Sequence, residues 1–266
     1  MRVHPVVRFV FIAFPAIWLC TSCAKNNLPG IAAPKKDSLP FVNTFPDFTK
    51  QVTGQTVQLV DEQTDNISQY LAYVPAGYNQ APAKLWPVII FLHGLGEIGT
   101  DVNHVKANGL PRHLDTARTF PFLVISPQCN GGGWWNVNAL NKLLSQILKK
   151  YNCDPKRIYL TGLSMGGIET WTWAIQDPTL FAAIAPVSAT GDPSKVASLK
   201  DVPTWVFHGD KDPTVSYAGD LAMVNTLKAA GGNVKMTTIK GGYHNIWETV
   251  YRNPGLYTWM LQQKLP

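Results

Sequence analysis

The sequence predicts one α/β domain built on a mainly parallel, twisted β-sheet with helices on both faces. Two patterns carry this. Short, nearly continuous apolar runs recur along the chain, and between several of them lie stretches whose apolar residues repeat every three to four positions. The first elements, Val57 to Val60 and Ser68 to Val74, flank a polar turn at Asp61 to Asn66 and read as a hairpin. Pro87 to Leu92 is apolar throughout, as a strand buried on both faces should be. Like runs follow at Phe122 to Ser126, Arg157 to Thr161, Ala182 to Val187, Thr204 to His208 and Val234 to Ile239. Asn138 to Tyr151 places Leu140, Leu143, Leu144, Ile147 and Leu148 on one helical stripe, and Gly167 to Asp177 and Tyr217 to Ala230 are further helices. Ser188 to Val202 is short, so the chain has no room there for a large lid domain.

With 266 residues, 45% hydrophobic and 15% charged, the chain can bury a sizeable single core. The formal net charge is +6. Removing Arg2 and Arg8 leaves 21 basic against 17 acidic residues, a balance of +4 spread without dense clusters. Pairs such as Lys35-Lys36 and Lys149-Lys150 are too short for a nucleic-acid surface, so that partner class is excluded.

The first 23 residues read as a secretory signal. Arg2 and Arg8 form a basic start, and the apolar stretch Phe9 to Leu19, interrupted by Pro15, is too short to span a bilayer comfortably. Leu19-Cys20-Thr21-Ser22-Cys23 resembles a bacterial lipobox, with Cys23 better placed than Cys20 because small Ser22 precedes it. The domain reading is therefore residues 1–23 as a lipoprotein-type signal, 24–50 as a tether and 51–266 as the folded domain. Pro29, Gly30, Pro34, Pro40 and Pro46 give the tether its character. An exported, membrane-anchored protein facing the periplasm or cell surface follows, monomeric and touching membrane only through that anchor. Cys129 and Cys153 belong at opposite ends of the sheet, about 15–20 Å apart, too far for a disulfide.

Gly162-Leu163-Ser164-Met165-Gly166-Gly167 matches G-x-S-x-G between a strand and a helix, the context in which such a serine stands on a sharp turn. A serine hydroxyl needs a general base, and the base needs an orienting carboxylate. Asp210 and Asp212 both follow the Thr204 to His208 strand, and His244 follows the Val234 to Ile239 strand. Among the other histidines, His4 lies in the signal, His93 in the loop after Leu92, and His104 and His113 in the loop region beyond. His208 precedes the candidate acids and reads as buried and structural. An oxyanion hole needs two backbone N–H groups, which the residue after the serine, Met165, and the loop residue Leu95 are placed to supply.

These segments resemble the α/β-hydrolase superfamily. The likeness rests on Phe91 to Glu97, Ser126-Pro127-Gln128-Cys129, Gly162 to Gly167, His208 to Asp212 and Gly242-Tyr243-His244, and covers roughly residues 54–264. It is nearest to lidless phospholipase/carboxylesterase-like and predicted-peptidase-like groups and to feruloyl or acetyl xylan esterases. The resemblance implies an α/β-hydrolase fold and ester hydrolysis through an acyl-enzyme, with no metal or organic cofactor. It also selects Asp212 over Asp210, because related hydrolases place the acid four residues beyond the His. A Ser164, Asp212 and His244 triad is the expectation. A peptidase or polyester depolymerase on the same triad, and a non-catalytic carbohydrate-binding surface lipoprotein, are the alternatives.

Aromatic residues hint at the substrate. Trp134, Trp135 and Trp247 are candidate contacts for sugar rings or an aromatic acyl group, with Tyr243 and Tyr217 nearby in sequence. Trp171, Trp173, Trp205 and Trp259 fall on core elements and read as packing.

Overall fold

The computed structural model describes residues 51–266, except 62, 63, 65, 117, 118 and 132. The signal, the tether and Cys23 lie outside the described residues. The expected hairpin forms from β1 (Gly54–Leu59) and β2 (Ile67–Val74), paired antiparallel from Gly54 opposite Val74 to Leu59 opposite Gln69. Next in the chain come β3 (Trp86–Leu92), a short helix α1 (Gly109–Leu114), β4 (Leu123–Cys129) and α2 (Val137–Lys150). β5 (Cys153–Leu163), α3 (Met165–Gln176), β6 (Ala183–Val187) and β7 (Thr204–Gly209) follow. The chain closes with α4 (Tyr217–Ala229), β8 (Val234–Ile239), α5 (Trp247–Tyr251) and α6 (Pro254–Leu261). One eight-stranded sheet runs in the order β1-β2-β4-β3-β5-β6-β7-β8, antiparallel at β1/β2 and β2/β4 and parallel elsewhere.

The apolar runs are continuous because the sheet is covered on both sides. Along β3 the side chains alternate: Val88, Ile90 and Leu92 join one core cluster, Ile89 and Phe91 the other. The first cluster takes the buried stripes of α2 (Leu140, Leu143, Leu144, Ile147), α3 (Trp171, Trp173) and α4 (Met223, Val224, Leu227). Each such fully buried large aliphatic contributes about 1.5–3 kcal/mol of transfer free energy. The second cluster takes Leu110 and Leu114 of α1, Val250 and Tyr251 of α5, and Leu256 and Met260 of α6. Trp171 and Trp173 are core residues, as read from the sequence, and Trp205 stacks edge-on against Trp259 at 5.4 Å.

Three differences from the sequence reading have physical causes. β5 starts four residues earlier than Arg157, because Cys153 pairs with Trp86 before a register irregularity that leads to Val88 opposite Ile158. The polar stretch Asp154 to Arg157 hides that extension from a search for apolar runs. The covering helices of the second face were not foreseen: α1 and α5 span about one turn each, too short to display a periodic stripe. His113 therefore lies on α1 and not in a loop. Cys129 ends β4 and Cys153 begins β5, with β3 between those strands; both thiols are buried and free. The β6–β7 connection holds only a single 3₁₀ turn, Val196–Leu199, and no large lid occurs among the described residues.

Candidate active site

Parallel strands carry their C-terminal ends to one edge. Registers pair Leu92 with Gly162, Leu163 with Val187, and Gly209 with Ile239, so the segments after β3, β5, β6, β7 and β8 meet there. Ser164 sits between β5 and α3 with φ 52°, ψ −118°, a backbone region costly for a residue with a Cβ. The strain is held from several sides. Ser164 N–H donates to Val187 O at 3.0 Å, and its carbonyl accepts from Ile168 N–H at 2.9 Å. A Cβ at Gly162 would collide with the Gly166 backbone, and one at Gly166 with the carbonyl of Leu92. Only glycine at both positions lets β5, α3 and β3 close this tightly.

His244 follows β8 and reaches across two strands. Its Nε2 lies 2.8 Å from Ser164 Oγ, and its Nδ1 lies 2.7 Å from Asp212 Oδ2. Asp212 is the carboxylate that meets His244. Asp210 is exposed and instead accepts from Gly241 N–H at 2.6 Å, closing the turn after β8. The Asp212 side chain is fully buried, and its Oδ1 accepts from Thr214 N–H at 2.8 Å and Val215 N–H at 3.0 Å. Burial alone would raise its pKa. The hydrogen bonds from His244, Val215 and Thr214 outweigh burial and hold the carboxyl below its usual range. With an ionised acid on Nδ1, His244 presents Nε2 to the serine, the tautomer that accepts its proton.

The loop after β3 lies against the serine. A Cβ on Gly94 would be 3.5 Å from Ser164 Cβ. Leu95 opens the 3₁₀ turn Leu95–Glu97 and is 65% exposed, so this residue does not serve the core. Met165 opens α3, its side chain buried in the core. His93 braces this loop. Its Nε2 accepts from Cys129 N–H at 2.9 Å, which leaves Nδ1–H to donate to Gly94 O at 2.6 Å. Burial pushes the His93 pKa down to about 4, so the ring is a neutral strut. Gln128 adds a second tie, donating from Nε2 to Glu97 O at 2.8 Å and Asp101 O at 2.9 Å.

Sequence reasoning did not find the residues that brace the site. Ser188 has φ 49° at the end of β6 and donates from Oγ to His244 O at 2.8 Å. No motif marks it. Asn108 donates to Glu97 Oε1 and accepts from Trp247 Nε1–H at 3.3 Å, tying the loop after β3 to α5. The aromatic candidates separate by environment. Trp247 stands edge-on to the His244 ring at 5.4 Å. Trp135 is buried, 4.7 Å from the His93 ring, and donates to His93 O at 3.4 Å. Trp134 is 49% exposed and Tyr243 61% exposed. Trp134 and Trp135 also line a cavity of about 340 Å³ with Glu169, Thr172 and Gln176 of α3. Tyr217 is turned to β8, hydrogen-bonded to Thr238 Oγ1 at 2.9 Å.

Comparison with known proteins agrees with this layout. The phospholipase/carboxylesterase family model matches residues 135–253. A bifunctional acetylxylan esterase/xylanase of Neocallimastix patriciarum is 28% identical over 197 residues, which are 70% of this chain and 27% of the relative. Feruloyl esterase B of Neurospora crassa is 30% identical over 138 residues, 46% of this chain and 44% of the relative. The chain thus spans less than half the length of these curated relatives. A crystal structure of a thermostable esterase superposes with TM-score 0.70 at 33% identity, covering 79% of this chain and 62% of that one.

Proposed function

From the premise that this chain is an α/β-hydrolase of the carboxylesterase-like kind, we propose that it is a serine carboxylic ester hydrolase acting through an acyl-enzyme. The observation that carries the reading is the hydrogen-bonded line from Ser164 Oγ through His244 to Asp212, at 2.8 and 2.7 Å. In this reading Ser164 Oγ attacks the ester carbonyl while His244 Nε2 takes its proton. The imidazolium, steadied by Asp212, then protonates the leaving alcohol, and a water activated by the same nitrogen releases the acid. The backbone N–H groups of Leu95 and Met165 receive the oxyanion.

The substrate class proposed is esters on plant polysaccharides, feruloyl or acetyl. Support comes from relatives named acetylxylan esterase and feruloyl esterase, and from the exposed rings of Trp134 and Tyr243. Trp247, packed on His244, is proposed to border the acyl group, and buried Trp135 to support Trp134 from beneath. Turnover of p-nitrophenyl acetate, methyl ferulate, acetylated xylan and a peptide amide tests the reading. The esters should be cleaved and the amide left intact, with Ser164→Ala lowering ester kcat by at least about 10⁴-fold. Preference for the amide would overturn the ester assignment. The lipobox resemblance extends the reading to an exported protein anchored through Cys23. Cys23→Ser should release it from membranes, and unchanged retention would count against the anchor.

A further inference from the structure

Behind the Ser164–His244–Asp212 line lies a second His–Asp pair that the proposed chemistry leaves unused. His208, the penultimate residue of β7, and Asp220, on the core side of α4, both have side chains with no exposure to solvent. His208 Nδ1 lies 2.8 Å from Asp220 Oδ2. Its Nε2 lies 3.2 Å from Val215 O and 3.2 Å from Asp212 Oδ2, the same oxygen that binds His244.

The tautomer follows from these partners. Val215 O can only accept, and an ionised Asp212 can only accept, so His208 Nε2 carries a proton. Nδ1 then shares a second proton with Asp220, as imidazolium against carboxylate or as imidazole against carboxylic acid. An unprotonated Nδ1 facing a carboxylate at 2.8 Å would set two lone pairs against each other. Burial opposes charge on His208, but Asp220, Val215 O and Asp212 outweigh it and raise its pKa, while burial lifts Asp220 to about 6. Both directions fit one proton held within the pair. Asp212 accepts from Thr214 N–H, Val215 N–H and His244 Nδ1–H, while His208 Nε2–H bonds Val215 O and lies 3.2 Å from Asp212 Oδ2 as an electrostatic neighbour.

We propose that His208, itself set by Asp220, is a positioning residue that anchors the Val215 carbonyl, lies against Asp212 Oδ2 and so keeps that carboxylate turned to His244. The proposal rests on the triad reading above. Its electrostatic consequence is also defined. The polar His208 N–H beside Asp212 Oδ2 competes electrostatically with His244, so losing it leaves Asp212 a stronger partner for the imidazolium. The charged and titratable groups around His208 are Asp212 on the β7–α4 loop, Asp220 and Tyr217 on α4, and His244 beyond Asp212. Its neighbours on the flanking strands, Thr238 on β8 and Ser188 after β6, do not titrate in this range.

The test compares wild type, His208→Leu, His208→Gln and Asp220→Asn by kcat, KM and pH–rate profile, with rates counted per serine reactive to a fluorophosphonate. His208→Leu should lower kcat about 10–100-fold, the scale of a lost buried hydrogen bond together with a lost contact to a charged group, with KM little changed. The acid limb of its profile should move up by about half a pH unit or more. His208→Gln, which keeps an N–H donor near the Nε2 position, should recover most of the rate. If His208→Leu does not fold, Asp220→Asn carries the test. It keeps the Nε2–H tautomer but removes the shared proton, so its acid limb should also move up. Wild-type rates with an unmoved acid limb in every variant that folds would overturn the proposal. NMR titration of the His244 ring reads the same shift without turnover. A wild type that cleaves no ester, with the His244 titration still moved by His208→Leu, would sink the esterase reading and leave the positioning role standing.

Discussion

At the scale of single residues, the site is held by groups whose protonation is set by burial. His93 is kept neutral by the Cys129 N–H on one ring nitrogen and by its place in the core. Glu169, on α3 one turn beyond Ser164, is the opposite case. It is 2% exposed, its Oε1 has no partner, and burial raises its pKa to about 7 although the Trp134 indole donates to it. The unfolded carboxyl ionises near 4.5 and the folded one near 7. Between those values the folded state binds more protons, so Glu169 costs stability as pH rises through 7. Glu169→Gln should therefore be more stable than wild type at pH 8, by up to about 3 kcal/mol, and nearly equal to it at about pH 4. Urea unfolding at the two pH values checks this, and a gain that does not depend on pH would contradict it. Ser164, Asp212 and His244 were legible because each follows a strand within a recognisable motif. Asp220 was not legible, since it occupies a core-facing helix position 12 residues beyond His208 and only the folded chain brings the two together. Ser188 was missed for a related reason: its strained backbone carries no glycine to mark it.

At the scale of elements, the serine turn depends on how closely β3, β5 and α3 approach. Gly166 lies so near the Leu92 and His93 carbonyls that a methyl group has no place to go, and all three atoms involved are backbone. Gly166→Ala should cost about 1–3 kcal/mol through displaced backbone. It should also lower ester turnover by more than the fall in folded fraction explains, because Ser164 is displaced from His244. The urea midpoint and turnover per folded molecule, measured together, test this; an unchanged midpoint would show that the helix start tolerates a side chain. The five strands from β3 to β7 were readable as apolar runs because both faces of each are covered, whereas half-buried β8 reads through its β-branched residues. The second-face helices were not readable. α1 and α5 are held by tertiary contacts such as Gly109 N–H to Glu248 Oε1 at 3.2 Å and His113 Nε2 to Glu248 Oε2 at 3.2 Å, which no local pattern announces.

At the scale of the whole molecule, the order of the strands brings the chemistry to one place. β5, β6, β7 and β8 are adjacent and parallel, so Ser164, Ser188, Asp212 and His244 leave the same sheet edge in sequence. This arrangement accounts for a serine, an acid and a histidine spread over 80 residues forming one hydrogen-bonded line. The central claim is that Ser164 is the nucleophile of that line. The most direct measurement is mass mapping of the protein after reaction with a fluorophosphonate, alongside p-nitrophenyl acetate turnover. The account predicts one adduct, on Ser164, with turnover lost as the adduct forms and both absent in Ser164→Ala. An adduct on another residue, or a Ser164→Ala variant that turns over the ester at the wild-type rate, would contradict it.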